Sequence, residues 1–405
     1  MFLRSIQERN PGLIQAVAAF HQQGLLPPNT IVLDADAVST NAKILRDVAN
    51  ELSLRLYFML KQIRNPQICD IVLRHDRRNE TVCVDTDDAR MLWETGHGIG
   101  HVGHLVQIPT HQIREILHMR PEVITVFSFE KARQIDEEAK RLGIVQALLL
   151  RVAGPDDVRF PSMEGGILEK DLKQIALSIR TLRHVQIVGV TNFPAMSYTD
   201  LGDPTPTPNL HTSLRCAQTL RNLGFEIDQI NAPGNTCTLS MRTLAREGAT
   251  HVEPGHGLTG TTPFSIHHDL PEVPAMVYVS EVLHQWAGLS YVHGGGFYWE
   301  DAMILGPDFR NHVLVGRDDE SLRDGEAVFA GCAPNDQRIL IDYYGVLEPG
   351  SKKDIRIGDT AIFAFRTQAF ATRSACTAVV RGISEGDPVL MGIYDRCGHR
   401  LNRWP

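Results

Sequence analysis

The chain has 405 residues, 43% of them hydrophobic and 22% charged, enough to bury a large core and of a length that suggests two or three domains. Its formal net charge of -8 gives no basic field for gripping nucleic acid or anionic membrane, and no apolar run approaches the roughly 18 to 20 residues that span a bilayer. The seven cysteines, an odd set with no C-x-x-C pair, argue against a disulfide framework and a cysteine zinc site and for a reducing, cytoplasmic compartment. The opening Met1-Phe2-Leu3-Arg4-Ser5 lacks a basic region leading into an apolar core, so no signal peptide is expected.

In chain order, the first 25 residues read as helical up to Gly24, with Pro27-Pro28 ending the segment. A strand at 30–33 follows, then a helix opened by Ser39-Thr40-Asn41. The apolar run Leu54-Arg55-Leu56-Tyr57-Phe58-Met59-Leu60 reads as a buried strand, and Asn65-Pro66 as the start of the next helix. Between them stands Lys61, an amine at a strand end. It is either a desolvated lysine able to form a Schiff base with a carbonyl or a lysine snorkelling to solvent.

Further strands are expected near 81–84, 104–108, 122–127, 146–152, 185–190, 226–230 and 249–253, with helical stretches at 87–94, 110–118, 129–142, 170–182, 210–223 and 238–247. Ser128 is placed to cap the helix at 129–142. Eight strands alternating with helices over about 200 residues match a (β/α)8 TIM-type barrel, although alternation alone does not exclude an open doubly wound sheet. Residues 197–209, with three prolines, form either an active-site flap or a plain connector.

Beyond about residue 270 the pattern changes to short β runs at 277–279, 313–315, 327–329, 338–341, 360–365, 377–380 and 389–393, separated by glycine, proline and aspartate turns. The expected organisation is an α/β barrel at 35–268, followed by a mainly β domain at 269–405 on which residues 1–34 pack.

Two late loops carry a possible anion site. Asn231-Ala232-Pro233-Gly234-Asn235-Thr236 follows the seventh strand and Glu253-Pro254-Gly255-His256-Gly257 ends the eighth. Glycines at 234, 255 and 257 let backbone amides approach a phosphate, and Thr236 and Thr238 supply hydroxyls near a helix start. Taken singly such loops are ordinary turns, but adjacent late strands are where barrel phosphate sites are built. His97, His101 and His104 have spacings that could suit a metal. The glycines at 96, 98, 100 and 103 argue against a rigid presentation, so the segment reads as a neutral loop entering strand three, and His267-His268-Asp269 reads as a domain-junction loop.

The run Val32-Leu33-Asp34 with Asn41, the strand ending in Lys61, and Asp85-Thr86-Asp87-Asp88-Ala89 after the second strand resemble the opening of the alanine-racemase-type, fold-type III pyridoxal phosphate (PLP) enzymes. The likeness covers most of the chain, and within the family it is similar to the YhfX-type branch, described as racemases. It implies a barrel followed by a β domain, a homodimer with a shared site, and Lys61 holding PLP as an internal aldimine. The phosphate would rest near Asn235, Thr236, Gly255, His256 and Gly257. Glu253 stands where alanine racemases have an arginine beside the pyridine nitrogen, which is similar to the basic amino acid decarboxylases of the same fold. A carboxylate there favours the protonated ring, a stronger electron sink.

The resemblance also implies a second base from the partner subunit, Tyr291 in Gly288-Leu289-Ser290-Tyr291, with His293 as a second candidate. Arg159 matches an arginine that contacts the ring oxygen, Asn192-Phe193 replaces the family's His-Phe beside the cofactor, and Asp336 is a further candidate near the site. Gln62-Ile63-Arg64-Asn65 departs from the usual Ala-Asn-Ala-Tyr, removing a tyrosine that reaches the phosphate. The implied activity is racemisation or epimerisation at Cα of an amino acid or derivative. A PLP-dependent decarboxylase or lyase, with Cys332 as a possible partner-subunit cysteine, is the enzymatic alternative, and a non-catalytic PLP-binding protein is the alternative of another class.

Overall fold

The structure, a computed structural model, describes residues 2–74, 79–294, 311–331, 343–352, 354–366 and 376–402. Its chain first enters a sheet through β1 (Thr30–Asp34), flanked by α1 (Phe2–Arg9), α2 (Pro11–Gln22) and α3 (Ala35–Glu51). The helix α3 starts earlier than the Ser39-Thr40-Asn41 expectation, because the Asp34 side chain accepts from the amides of Asp36 and Ala37 at 3.0 and 3.1 Å and so caps it. Asn41 instead lies buried inside α3, where its amide donates to the Leu258 and Val273 carbonyls at 3.0 and 2.8 Å.

Residues 55–59 then form β2 (Arg55–Leu56) and β3 (Phe58–Met59) on either side of Tyr57. They are followed by β4 (Thr81–Cys83), β5 (His101–Val102), β6 (Val123–Val126), β7 (Gln146–Ala153), β8 (Ile167–Leu168), β9 (Val185–Thr191), the hairpin β10 (Met196–Tyr198) and β11 (Pro204–Pro206), β12 (Gln229–Ala232) and β13 (His251–Val252). The parallel order is β2, β13, β12, β9, β7, β6, β5, β4, β3, with β8 beside β7. Since β2 and β3 are one stretch of chain, it joins the two ends of the sheet, which is the (β/α)8 arrangement expected. Strands buried on both faces are mostly apolar, as in Val123-Ile124-Thr125-Val126, where Thr125 is the one polar member. Tyr57, Met59, Val82, Val123 and Leu149 fill the interior.

One expected strand is corrected. The third strand is His101–Val102 rather than 104–108. A Cβ on Gly100 would lie 2.1 Å from the Asn79 carbonyl oxygen and 2.5 Å from that of Thr81, so the glycines that argued for a loop are what let this strand approach its neighbour. The proline-rich segment after the sixth barrel strand, expected as a flap or a connector, holds the β10–β11 hairpin.

The second sheet comprises β14 (Met276–Trp286), β15 (Leu289–His293), β16 (Asn311–Gly316), β17 (Glu326–Gly331), β18 (Tyr344–Glu348), β19 (Thr360–Phe363), β20 (Cys376–Arg381) and β21 (Val389–Asp395), together with β1. Pairing of β14 with both β15 and β19 closes a six-stranded barrel in the order β14, β15, β18, β17, β16, β19. Outside it, β1 runs antiparallel to β14 and parallel to β20. Leu13 and Val17 of α2 cover this sheet against Val32, Val277, Ile362 and Val380. The expected strand at 338–341 lies outside the described residues. Among the described residues no helix is long and apolar enough to cross a membrane.

Candidate active site

Lys61 sits in the short 3-10 turn Leu60–Gln62 directly after β3, half-buried, at the carboxyl end of the barrel strands. Asn65 then caps α4 (Pro66–Leu73), its side chain accepting from the Ile68 amide at 3.2 Å, so the chain must turn sharply at the lysine. The ammonium acts electrostatically on Asp88, His104 and His256, which come from three different strand ends. Asp88, in the first turn of α5 (Thr86–Glu94), has its carboxyl pushed up to about 6 by burial and by Asp85, against the opposing pull of Arg64 at 3.2 Å.

At the end of β13, Glu253 forms the centre of a buried polar group. Its Oε1 accepts from Asn231 Nδ2 at 2.8 Å and lies 2.7 Å from His101 Nδ1, while His101 Nε2 lies 2.6 Å from Thr125 Oγ1. The other oxygen, Oε2, has no hydrogen-bond partner among the described residues and lies 3.7 Å from His104 Nε2. The His101 and Glu253 side chains are 0% and 1% exposed, so this is a desolvated carboxylate. Burial by itself pushes Glu253 up, but His104 and the donors His101 and Asn231 outweigh it and hold the carboxyl below its ordinary range. Burial keeps His104 neutral, pushing it down to about 3 against the pull of Glu253. The hydrogen bonds from His101 and Asn231 both fall on Oε1 and contribute to keeping Glu253 ionised.

The two late loops meet beside this group. A Cβ on Gly257 would lie 2.9 Å from the Thr236 carbonyl oxygen, and one on Gly255 would lie 2.5 Å from the Gln62 amide oxygen. Gly234 and Asn235 both take positive φ, 116° and 50°, just ahead of α6 (Thr238–Glu247). The Thr236 hydroxyl is buried with no hydrogen-bond partner among the described residues. His256, which opens the short α7 (His256–Thr259), is held neutral mainly by burial, reinforced by Arg366 and Lys61. Arg366, just past β19 of the second sheet, donates to Asn235 Oδ1 at 3.2 Å. The Thr238 hydroxyl is committed elsewhere, donating to Glu272 at 3.0 Å.

These features fit PLP. The orphan Glu253 oxygen suits a ring N–H. The glycine-lined loop pair with the Thr236 hydroxyl and Arg366 suits a phosphate, and Lys61 lies at the same mouth. The metal reading changes as well. His97 leaves the site for Asp70, 2.8 Å away, while His101, His104 and Glu253 offer ligand atoms within 4.8 Å of one another. Both ring nitrogens of His101 already serve as links to Glu253 and Thr125, so this set is better suited to holding a carboxylate than to ligating an ion.

Other expected residues have different surroundings. Arg159 turns its guanidinium back onto the Gly154 carbonyl. Asn192 donates to Asp157 at 2.6 Å, and its oxygen accepts from Asn209 and from the Phe193 amide at 3.2 and 2.8 Å, so its side chain ties loops together. His268 ties the junction to the Gly202 carbonyl at 3.0 Å. Tyr291, on β15, stacks on His284 with centroids 4.4 Å apart and meets Tyr344 edge-on. His293 is exposed at the end of the same strand. Cys332 and Asp336 lie outside the described residues.

Sequence reasoning missed the parts His101 and His104 play, and it missed Arg151 and Arg366. Arg151 is buried on β7 and donates to the His104 carbonyl at 3.1 Å, fixing the backbone that carries that imidazole. The histidine run was visible, but its partner Glu253 is 152 residues away.

Residues 33–263 match the model of the alanine racemase N-terminal domain, more than half of the chain. The chain belongs to the alanine racemase family. It is therefore one of the fold-type III, PLP-dependent group, and residues 277–390 match the YhfX-like C-terminal domain. A family relative from Escherichia coli (strain K12), described as uncharacterized protein YhfX, is 35% identical over 407 residues, covering 99% of this chain and all of that one. Among solved structures, the D-threonine aldolase of Filomicrobium marinum matches with a TM-score of 0.64 at 14% identity, over 92% of this chain and 96% of that one. The alanine racemase of Clostridium difficile 630 in complex with cycloserine gives 0.61 at 15%, over 91% and 98%. The diaminopimelate decarboxylase of Helicobacter pylori complexed with L-lysine gives 0.61 at 13%, over 92% and 93%. At these identities the structural likeness is one of fold.

Proposed function

We propose that the chain is a PLP-dependent racemase or epimerase acting at Cα of an amino acid or amino-acid derivative, working as a homodimer. The observation that carries the cofactor reading is the buried Glu253 carboxylate, whose free oxygen lies at the same strand-end mouth as Lys61. When bound, PLP supplies an electron-accepting ring that disperses the negative charge left at Cα.

Lys61 anchors the cofactor through Nζ and moves a proton at Cα on one face of the substrate. Tyr291 of a second copy holds the proton for the opposite face, supported by its half-buried position on β15 between His284 and Tyr344. His293, two residues on, is the alternative second base. Glu253 accepts the ring N–H, Thr236 and the amides around Gly234, Gly255 and Gly257 hold the phosphate, and Arg366 balances its charge. His104, neutral and edge-on to Phe193 at 6.0 Å, closes the mouth to water.

A second reading, decarboxylase or lyase, is favoured by Glu253, since a protonated ring also serves those reactions. An ultraviolet-visible spectrum before and after borohydride reduction tests the cofactor, and a colourless protein unlabelled with added PLP refutes it. An L-amino-acid panel followed by chiral chromatography tests the reaction. Appearance of a D-enantiomer supports racemisation, whereas carbon dioxide or a keto acid without one overturns it. Retained PLP with no spectral response to any amino acid points instead to a non-catalytic PLP carrier.

A further inference from the structure

We infer that His101 is a positioning residue that holds the Glu253 carboxylate ionised, with Oε2 turned to the mouth, and so gives the site its selectivity for a ligand ring bearing an N–H. The inference rests on the PLP reading and adds to it a residue that does not itself touch the cofactor.

The argument is one of donor inventory. A carboxylate only accepts, so His101 Nδ1, 2.7 Å from Glu253 Oε1, must carry the proton and donate it. In the neutral ring Nε2 is then an acceptor, and Thr125 Oγ1 at 2.6 Å supplies the O–H that satisfies it. The tautomer is thus fixed by its two neighbours. Asn231 Nδ2 donates to the same oxygen at 2.8 Å and to Thr191 Oγ1 at 3.1 Å.

Two donors converge on Oε1, whereas Oε2 has no hydrogen-bond partner among the described residues. This asymmetry fixes the carboxylate plane and leaves one lone-pair face for a ligand. Without His101, a fully desolvated Glu253 keeps a single donor, which favours the neutral acid. A neutral acid donates where the carboxylate accepts, and the preference for a ring N–H is lost. The logic is that of residues standing behind metal ligands, which set the orientation and basicity of the group they touch.

The test compares binding of PLP with its 1-deaza analogue, which has C–H in place of the ring nitrogen, to the full-length apoprotein by fluorescence titration. Wild type should prefer PLP by about tenfold or more, the scale of one charge-assisted hydrogen bond. His101→Leu should reduce that preference to about unity while leaving affinity for the analogue within about twofold. His101→Asn, whose amide can donate from near the Nδ1 position, should restore most of it. A merely structural role would weaken both ligands together.

If His101→Leu fails to fold, Thr125→Val removes the hydroxyl at Nε2 and carries the same test, with a severalfold loss of preference expected. Unchanged preference in a folded His101→Leu, or in Thr125→Val where that variant stands in, overturns the inference while leaving the cofactor reading intact. A wild type that binds neither compound overturns the cofactor reading, and the inference with it. Equal binding of both by wild type overturns the inference alone.

Discussion

The barrel carries a polar cluster at each end, half-buried at one and buried at the other, and the two differ in how their polar groups are satisfied. At the amino ends of the strands, Tyr57 donates to Glu122 at 3.0 Å and accepts from Gln229 at 3.4 Å. There too Arg55 pairs with Glu122, and His251 stacks on Tyr57 while bonding Thr250 at 2.8 Å. At the carboxyl ends, both nitrogens of His104, Oε2 of Glu253, the Thr236 hydroxyl and the Gln62 amide oxygen are buried with no hydrogen-bond partner among the described residues. Each such orphan costs about 1–3 kcal/mol. A fold tolerates several together where a ligand completes them, whereas at the other end Tyr57, Glu122, Gln229, His251 and Thr250 bond to or stack on one another within the protein.

The sharpest way to break this contrast is Lys61→Ala. Turnover should fall about a thousandfold or more, with loss of the borohydride-trapped label and little change in melting temperature. Tyr291→Phe should lower racemisation about a hundredfold while leaving cofactor binding intact. Racemisation unchanged by this substitution removes Tyr291 from the reaction and turns attention to His293. At the opposite end, Glu122→Gln should do the reverse. It strips Arg55 of its countercharge, costing about 2 kcal/mol in denaturant unfolding, while turnover stays within about twofold.

The smallest effect concerns pH. The folded-state pKa of Asp88 is raised to about 6, so the folded protein holds this proton more tightly than the unfolded chain does. The associated stability is present below the ordinary carboxylate range, near pH 4, and is lost as pH rises through about 6. Asp88→Asn should flatten that part of the unfolding free energy measured against pH, by on the order of 1–3 kcal/mol.

What the sequence disclosed was local. The helix at 129–142 with its Ser128 cap, and the one at 238–247, appear with the expected bounds, because periodicity and capping act within a few residues. The Lys61 position and the two glycine loops were readable because each sits at the junction of an apolar run and a helix start. The role of His101 was hidden because glycine usually marks a loop, and here it marks strands pressed together. Arg366 was hidden because its contact, Asn235, is 131 residues away on another sheet. Arg159 stood out by its place in a motif, whereas Arg151 carries no motif and is marked only by its burial on β7 and its bond to the His104 carbonyl.

The placement of β1 has a consequence for how the protein is made. Thr30 lies opposite Cys376 in the second sheet, with the whole barrel encoded between them. A ribosome therefore completes the barrel, with Lys61, Glu253 and both glycine loops, well before Arg366 and β20 emerge. At about 5–20 residues per second the interval from Gly257 to Arg366 is roughly 5 to 20 s. During that time β1 waits without its parallel neighbour and the glycine loops without Arg366, so the candidate site is completed late in synthesis.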